Sequence, residues 1–311
     1  MSIPSSKRRP DFIIIGAMKC MTSTLHVQLA AQPGVFMTHP KEPCYFSDDD
    51  HYRKGPEWYS SLFSAAHADD LCGESSTHYT KLPTYPQTVA RLQQACPEVR
   101  LIYVMRHPID RLMSQYVHEW TKRLVNDPID RAVQKYPELV SYSRYAYQLE
   151  SYLSAFGPRQ ILPVFFDRLA RHPQAELERI CRFIGYRGVP SWRPELADDN
   201  VSARRMRASR WRDRLVYAPG VNWIRRTLVP QPIRDGIKQL WQMKRKPTIS
   251  ADRLQELKAV FDRDLTRLGD WLGVGLSCDL FRETTADRVF DWRDGLEQEL
   301  AARQGVPEAV I

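Results

Sequence analysis

No stretch of this 311-residue chain approaches the roughly 20 consecutive apolar residues that a membrane span needs, and the polar, basic opening "MSIPSSKRRP" leads into no apolar region of signal-peptide length. These absences point to a soluble cytoplasmic protein. Cysteine is sparse and scattered: Cys20, Cys44, Cys72, Cys96, Cys181 and Cys278 form no CxxC pair and have no histidine at metal-ligand spacing. They are expected to be reduced and structural, with no metal centre. Also missing are the GxxxxGK[ST] order of an NTPase phosphate loop, the GxGxxG dinucleotide fingerprint, and any helix-turn-helix, RNA-recognition or zinc pattern. Internal repeats and low-complexity tracts are absent as well.

What is present is enough apolar sequence, 43% of residues, to bury one substantial core. The formal charge of +8 is unevenly placed. Between Val201 and Lys246 stand 13 Lys/Arg against Asp213 and Asp235, so this segment alone carries +11. Such a patch fits an anionic partner, whether nucleotide phosphates, a polyanionic acceptor, nucleic acid or an acidic membrane surface, or it is simply a solvated face. In the same stretch Trp211, Tyr217, Trp223, Ile224, Leu240 and Trp241 interleave with the cations. That pattern suits an acidic glycan, anionic lipid, or packing on the core.

Strand and helix signals alternate through the first 185 residues. "DFIIIGA", "RLIYVMR" and "QILPVFF" read as buried strands, and helices are expected over Thr22 to Gln32, "PQTVARLQQAC", "PIDRLMSQYVHEWTKRL", "SYSRYAYQLESYLSAFG" and "QAELERICRFIG". Alternation of this kind implies an α/β fold, a central parallel sheet with helices on both faces. Further on, residues 250–273 place Leu257, Phe261, Leu265 and Leu268 on one helical face. The expected organisation is a flexible basic N-terminus at 1–10, one domain at 11–285 and a C-terminal extension at 286–311. Within the domain lie a core at 11–185, the basic aromatic region at 186–247 and a closing helix at 250–273.

The first strand-loop-helix unit carries "GAMKCMTST". Backbone amides and the positive helix end face an anion at such a turn. Gly16 makes the turn out of the strand, Lys19 supplies a point charge, and Thr22, Ser23 and Thr24 supply hydroxyls that both cap the helix and hold an anion. A second turn, "YVMRHPIDRLMSQY", ends a strand at Arg106 and brings Ser114 onto the next helix, so a bidentate guanidinium and a hydroxyl can grip one phosphate from two sides.

The ordered series "IIIGAMKCMTSTL", "KEPCYF", "GESSTHY", "RHPIDRLMSQY" and "QILPVFFDRLARHPQAELERICRFIG" resembles the sulfotransferases that use 3′-phosphoadenosine 5′-phosphosulfate (PAPS), nearest the bacterial and heparan-sulfate-like carbohydrate branch. "DLTRLGDWLG" resembles that family's closing helix. The resemblance implies a P-loop-like fold and sulfuryl transfer from PAPS to a hydroxyl or amine of a glycan, lipid or small molecule, with release of 3′-phosphoadenosine 5′-phosphate (PAP). It places Lys19, Cys20, Met21, Thr22, Ser23 and Thr24 on the 5′-phosphosulfate loop, and Arg106 and Ser114 at the 3′-phosphate. Arg204 and Arg205 fall on a third loop over the nucleotide. Glu42 falls on the catalytic base, with His39 as the alternative. Lys41 and Glu74 line the acceptor side. Two departures stand out: Met21 occupies a position usually held by Gly, and Thr77 one usually held by Pro.

Sulfuryl transfer needs in-line geometry and neutralisation of the leaving oxygens, as phosphoryl transfer does. Lys19 suits the second task, and no metal is required. Glu42 stands on a Pro-bounded loop where a carboxylate can reach an acceptor. Other histidines, His107 and His118 among them, are expected to be structural. The rival readings are a P-loop-type kinase or NTPase, against which the missing GK[ST] order argues, a basic nucleic-acid-binding protein, and a catalytically impaired relative of the sulfotransferases. Nucleic acid is not expected as a partner, and peripheral contact with an anionic membrane stays open beside an acidic glycan.

Overall fold

The computed structural model describes residues 8–196 and 247–304. Arg204, Arg205 and the basic segment at 201–246 lie outside the described residues. Five strands, β1 (Phe12–Gly16), β2 (Val35–Met37), β3 (Leu71–Ser75), β4 (Arg100–Met105) and β5 (Ile161–Phe165), form one parallel sheet in the order β2-β3-β1-β4-β5. Every residue of β1 and β5 is buried, as both faces of a helix-covered parallel sheet require. The order places a switch point at β1 and β4: the chain runs leftward from β1 to β2 and β3, then crosses to β4 and β5 on the other side. Ligands of open α/β sheets bind outside the carboxyl ends of the strands at such a point.

The helices that position the site are α1 (Thr22–Ala30), α2 (Thr88–Ala95), α3 (Pro108–Thr121), α4 (Tyr145–Phe156), α5 (Pro173–Ile184) and α6 (Ala251–Leu272). α3 opens with Pro at its first position, where a missing N–H costs nothing. α5 ends on Gly185 in the left-handed region. α6 is capped by Ser250, whose hydroxyl accepts from the amide of Arg253, and stops at left-handed Gly273. Its apolar face buries Phe261, Leu265 and Leu268 completely. Truncating one of these to Ala costs about 2–5 kcal/mol. From the same helix the buried carboxylate of Asp264 accepts the amides of Ala146 and Tyr147 at 2.9 and 3.0 Å, and so holds the first turn of α4.

The structure adds detail at both ends of the expected organisation. The chain is held from Arg8, inside the stretch expected to be flexible: its guanidinium donates to the carbonyls of His67, Ala68 and Asp70. Beyond residue 285, Phe290, Leu296 and Leu300 are buried, so this part of the extension packs on the core. All six cysteines are buried and free. Among the described residues no helix is long and apolar enough to cross a membrane.

Candidate active site

Four strand ends converge on one edge of the sheet. After β1 the loop 16–21 folds over β4, with the amide of Ala17 donating to the carbonyl of Val104 at 2.8 Å. Lys19 and Met21 both take left-handed backbone conformations, φ 74° and 64°. Alternation of this type turns successive amides toward one point and makes an anion cradle. The amides of Thr22, Ser23 and Thr24 open α1 and have no helical carbonyl ahead of them. Their three hydroxyls make no hydrogen bond among the described residues, and the helix has no side-chain cap: Met21 stands at the N-cap position. The trio therefore leaves the helix end open, contrary to the capping role read from the sequence. Met21 shows why a Gly suits this position, since left-handed backbone costs an L-residue about 1–2 kcal/mol.

Gly16 is fixed by space. A Cβ there would lie 2.0 Å from the hydroxyl oxygen of Thr80 and 3.0 Å from the ring of Tyr103. That threonine hydroxyl donates to the carbonyl of Ile15 and ties the loop root to the segment after β3.

Arg106 leaves the end of β4 and extends an Nη1–H toward the carbonyl of Lys19 at 3.5 Å, with its guanidinium over the ring of Phe166 at 4.6 Å. The two loops singled out in the sequence thus meet. The Nε of Arg106 is buried without a hydrogen-bond partner among the described residues, as a donor awaiting an anion would be. Ser114 stands two turns along α3, half-buried and unbonded among the described residues. Cys20 is buried below, with its thiol packed in the core and pushed up to about 11 by burial.

The third strand end carries Glu42. Its loop continues the line of β2 beside β3, with the amide of Thr38 donating to Gly73 and that of Glu42 to Ser75, both at 3.0 Å. The Glu42 carboxylate accepts from the amide of Thr77 at 2.8 Å and from its hydroxyl at 3.2 Å, and pairs with the ammonium of Lys41. With its side chain 31% exposed, it is oriented from behind and open in front. His39 is exposed and shares none of these bonds, so the alternative base is not brought into the carboxylate's network. Lys41 contacts Glu42 itself.

Glu74 is displaced from the role expected of it. It is fully buried on β3, accepts from the hydroxyls of Tyr59 and Ser76, and its carboxyl is pushed up to about 7 chiefly by burial. It cannot reach an acceptor; it supports the floor beneath Glu42, because Ser76 also accepts the amide of Cys44 at 3.0 Å. Burial likewise holds His26, bonded to Ser75 at 2.8 Å, and His78 down to about 4, so both are neutral. Sequence reading missed Lys81, whose ammonium burial lowers to about 8 and which faces the ring of Tyr142 at 5.8 Å. It also missed Thr77 as the partner of Glu42, although the replacement of a usual Pro by a residue with an N–H was a signal. His107 is structural as expected, bonded to the carbonyl of Cys278. Among the described residues no cluster of His, Cys, Asp or Glu is arranged to hold a metal.

Residues 56–191 match the family model described as "Sulfotransferase family". The chain is 28% identical over 202 residues to the human bifunctional heparan sulfate N-deacetylase/N-sulfotransferase 2, covering 57% of this chain and 22% of that protein. It is 32% identical over 126 residues to the membrane-associated sulfotransferase kil1 of Dictyostelium discoideum, covering 39% of this chain and 26% of that one. It therefore spans about a quarter or less of the length of these curated relatives. Among solved structures it shares the fold of a sulfotransferase from Alicyclobacillus acidocaldarius, with a TM-score of 0.61 at 22% identity over 86% of this chain and 98% of that one.

Proposed function

From the premise that this chain belongs to the sulfotransferase family, we propose that it transfers a sulfuryl group from PAPS to a hydroxyl or amine of an acceptor by in-line displacement. The observation that carries this reading is the approach of Arg106 to the carbonyl of Lys19, which joins two anion-binding turns into one site. The buried, unpaired Nε of Arg106 and the open amides of Thr22 to Thr24 fit a ligand with anionic groups at two ends.

In this reading the amides at the start of α1 and the ammonium of Lys19 hold the 5′-phosphosulfate, while Arg106 and Ser114 take the 3′-phosphate. PAPS supplies the activated sulfuryl group and leaves as PAP. Glu42 accepts the acceptor's proton as the new S–O or S–N bond forms, and Lys19 neutralises the charge that the breaking S–O bond leaves on the 5′-phosphate. Thr77 and Lys41 keep the carboxylate turned outward. The acceptor is a glycan, lipid or small molecule, and the similarity to a heparan sulfate N-sulfotransferase supports a glycan first. A cytoplasmic location belongs to the same proposal, and cell fractionation tests it.

Calorimetry with PAP tests the division of labour. Lys19→Ala and Arg106→Ala are expected to abolish binding, whereas Glu42→Gln keeps it and loses transfer of labelled sulfate from PAPS to a glycan and lipid panel. Unchanged PAP binding in both cation variants would remove the donor assignment.

A further inference from the structure

Arg111, in the first turn of α3, is fully buried and makes no direct ion pair among the described residues. Its Nη1 is buried with no hydrogen-bond partner there. The remaining donors are committed. Nε donates to the hydroxyl of Ser143 at 2.5 Å, and Nη2 to the Gln115 side chain at 2.6 Å and to the carbonyl of Leu139 at 3.0 Å. The nearest carboxylate relay is one amide away, since Gln115 donates in turn to Glu119. A buried guanidinium without a carboxylate against it is costly, so its retention calls for a reason beyond packing.

The bonds of Ser143 show where Arg111 acts. The Ser143 hydroxyl donates to the carbonyl of Pro108 at 3.1 Å. Two residues on, the hydroxyl of Tyr145 donates to the carbonyl of Arg106 and accepts the amide of the same residue at 3.2 Å. Residues 143–145 therefore grip the turn 106–108 at three backbone atoms, and Arg111 grips Ser143. This is the turn from which the Arg106 side chain reaches the neighbourhood of Lys19.

We propose that Arg111 is a positioning residue for the 3′-phosphate end of the donor site: it locks the 143–145 segment that fixes Arg106, and its own uncompensated charge favours an anion at the same sheet edge. The inference rests on the donor reading above. It predicts a defect confined to ligands that carry the 3′-phosphate, which a merely structural role would not produce.

The test is calorimetry on the full chain with PAP and with 5′-AMP, which lacks the 3′-phosphate. Wild type is expected to prefer PAP. Arg111→Met should lose about tenfold or more in PAP affinity, with 5′-AMP affinity changed less than about twofold. Arg111→Lys, which keeps the charge but not the fork, should fall between the two. Ser143→Ala should lower the PAP to 5′-AMP ratio in the same direction by about threefold. Melting curves without nucleotide identify folded variants; if Arg111→Met does not fold, Ser143→Ala decides. A folded variant set whose PAP to 5′-AMP ratio equals that of wild type overturns the proposal. Wild type that fails to distinguish the two nucleotides overturns the donor reading instead.

Discussion

The amide and the hydroxyl of Thr77 both donate to the carboxylate of Glu42, at 2.8 and 3.2 Å, across a gap of 35 residues in sequence. A proline at position 77 could make neither bond. Carboxylate orientation thus rests on Thr77, just past β3, together with Lys41. Thr77→Ala removes the hydroxyl alone and should lower turnover about fivefold, equivalent to about 1 kcal/mol. Thr77→Pro removes both donors and should lower it further, while PAP affinity stays as in wild type. Steady-state rates beside calorimetry check this; an equal loss of PAP binding would place Thr77 with the donor.

In the donor reading, Met21 bears on whether the loop proposed to hold the phosphosulfate is impaired. Because its backbone already adopts the left-handed conformation that a Gly would take, the cradle has its shape with Met in place. Met21→Gly is therefore expected to leave PAP affinity within about threefold of wild type. Backbone relief of about 1–2 kcal/mol is offset by the greater flexibility of Gly in the unfolded chain and by lost packing. A tenfold tightening by calorimetry would show instead that the Met side chain obstructs the ligand.

Gly16→Ala introduces a methyl group 2.0 Å from the hydroxyl oxygen of Thr80, at φ 155°. Displacing Thr80 also breaks its bond to the carbonyl of Ile15. The expected loss is about 2–3 kcal/mol of stability, read as a lower urea midpoint at unchanged slope. A midpoint equal to wild type would mean that the loop root has room.

Glu74 gives stability a pH dependence of known sign. Its native carboxyl titrates at about 7 against an ordinary 4.5, so the folded protein holds a proton that the unfolded chain has already released. Stability from this group is complete below about pH 4.5 and is lost as pH rises through about 7. Glu74→Gln removes that slope, and relative to wild type it should gain about 3 kcal/mol between pH 4.5 and 8. The neutral His26 and His78 act in the opposite sense below about pH 6.5, and they cancel in the difference between variant and wild type. Parallel urea curves for the two proteins across this range would sink the assignment.

The parts of the molecule that could be read from sequence are those whose signals are local. β1, β4 and β5 announce themselves as apolar, β-branched runs, and the Pro and Gly that bound α3 and α5 mark their ends. β2 has only three residues, and β3 carries a Gly and a carboxylate, so neither looks like a strand until its neighbours are in place. Glu74 looks exposed in sequence because nothing nearby reveals that Tyr59 will cover it. The pairing of Lys19 with Arg106 follows from β1 and β4 being adjacent, which the alternation of elements implies without stating the order. Arg111 escaped notice because its partners Leu139 and Ser143 lie on a separate stretch of chain.

The two turns proposed to hold the donor's anionic groups are rooted on neighbouring strands of one sheet, about 4.8 Å apart, so their separation is set at the root by the strand ladder. The sheet serves as a ruler. In the donor reading, the strand ladder sets the separation of the sites for a nucleotide's two charged ends, and that separation lasts as long as the β1–β4 pairing does.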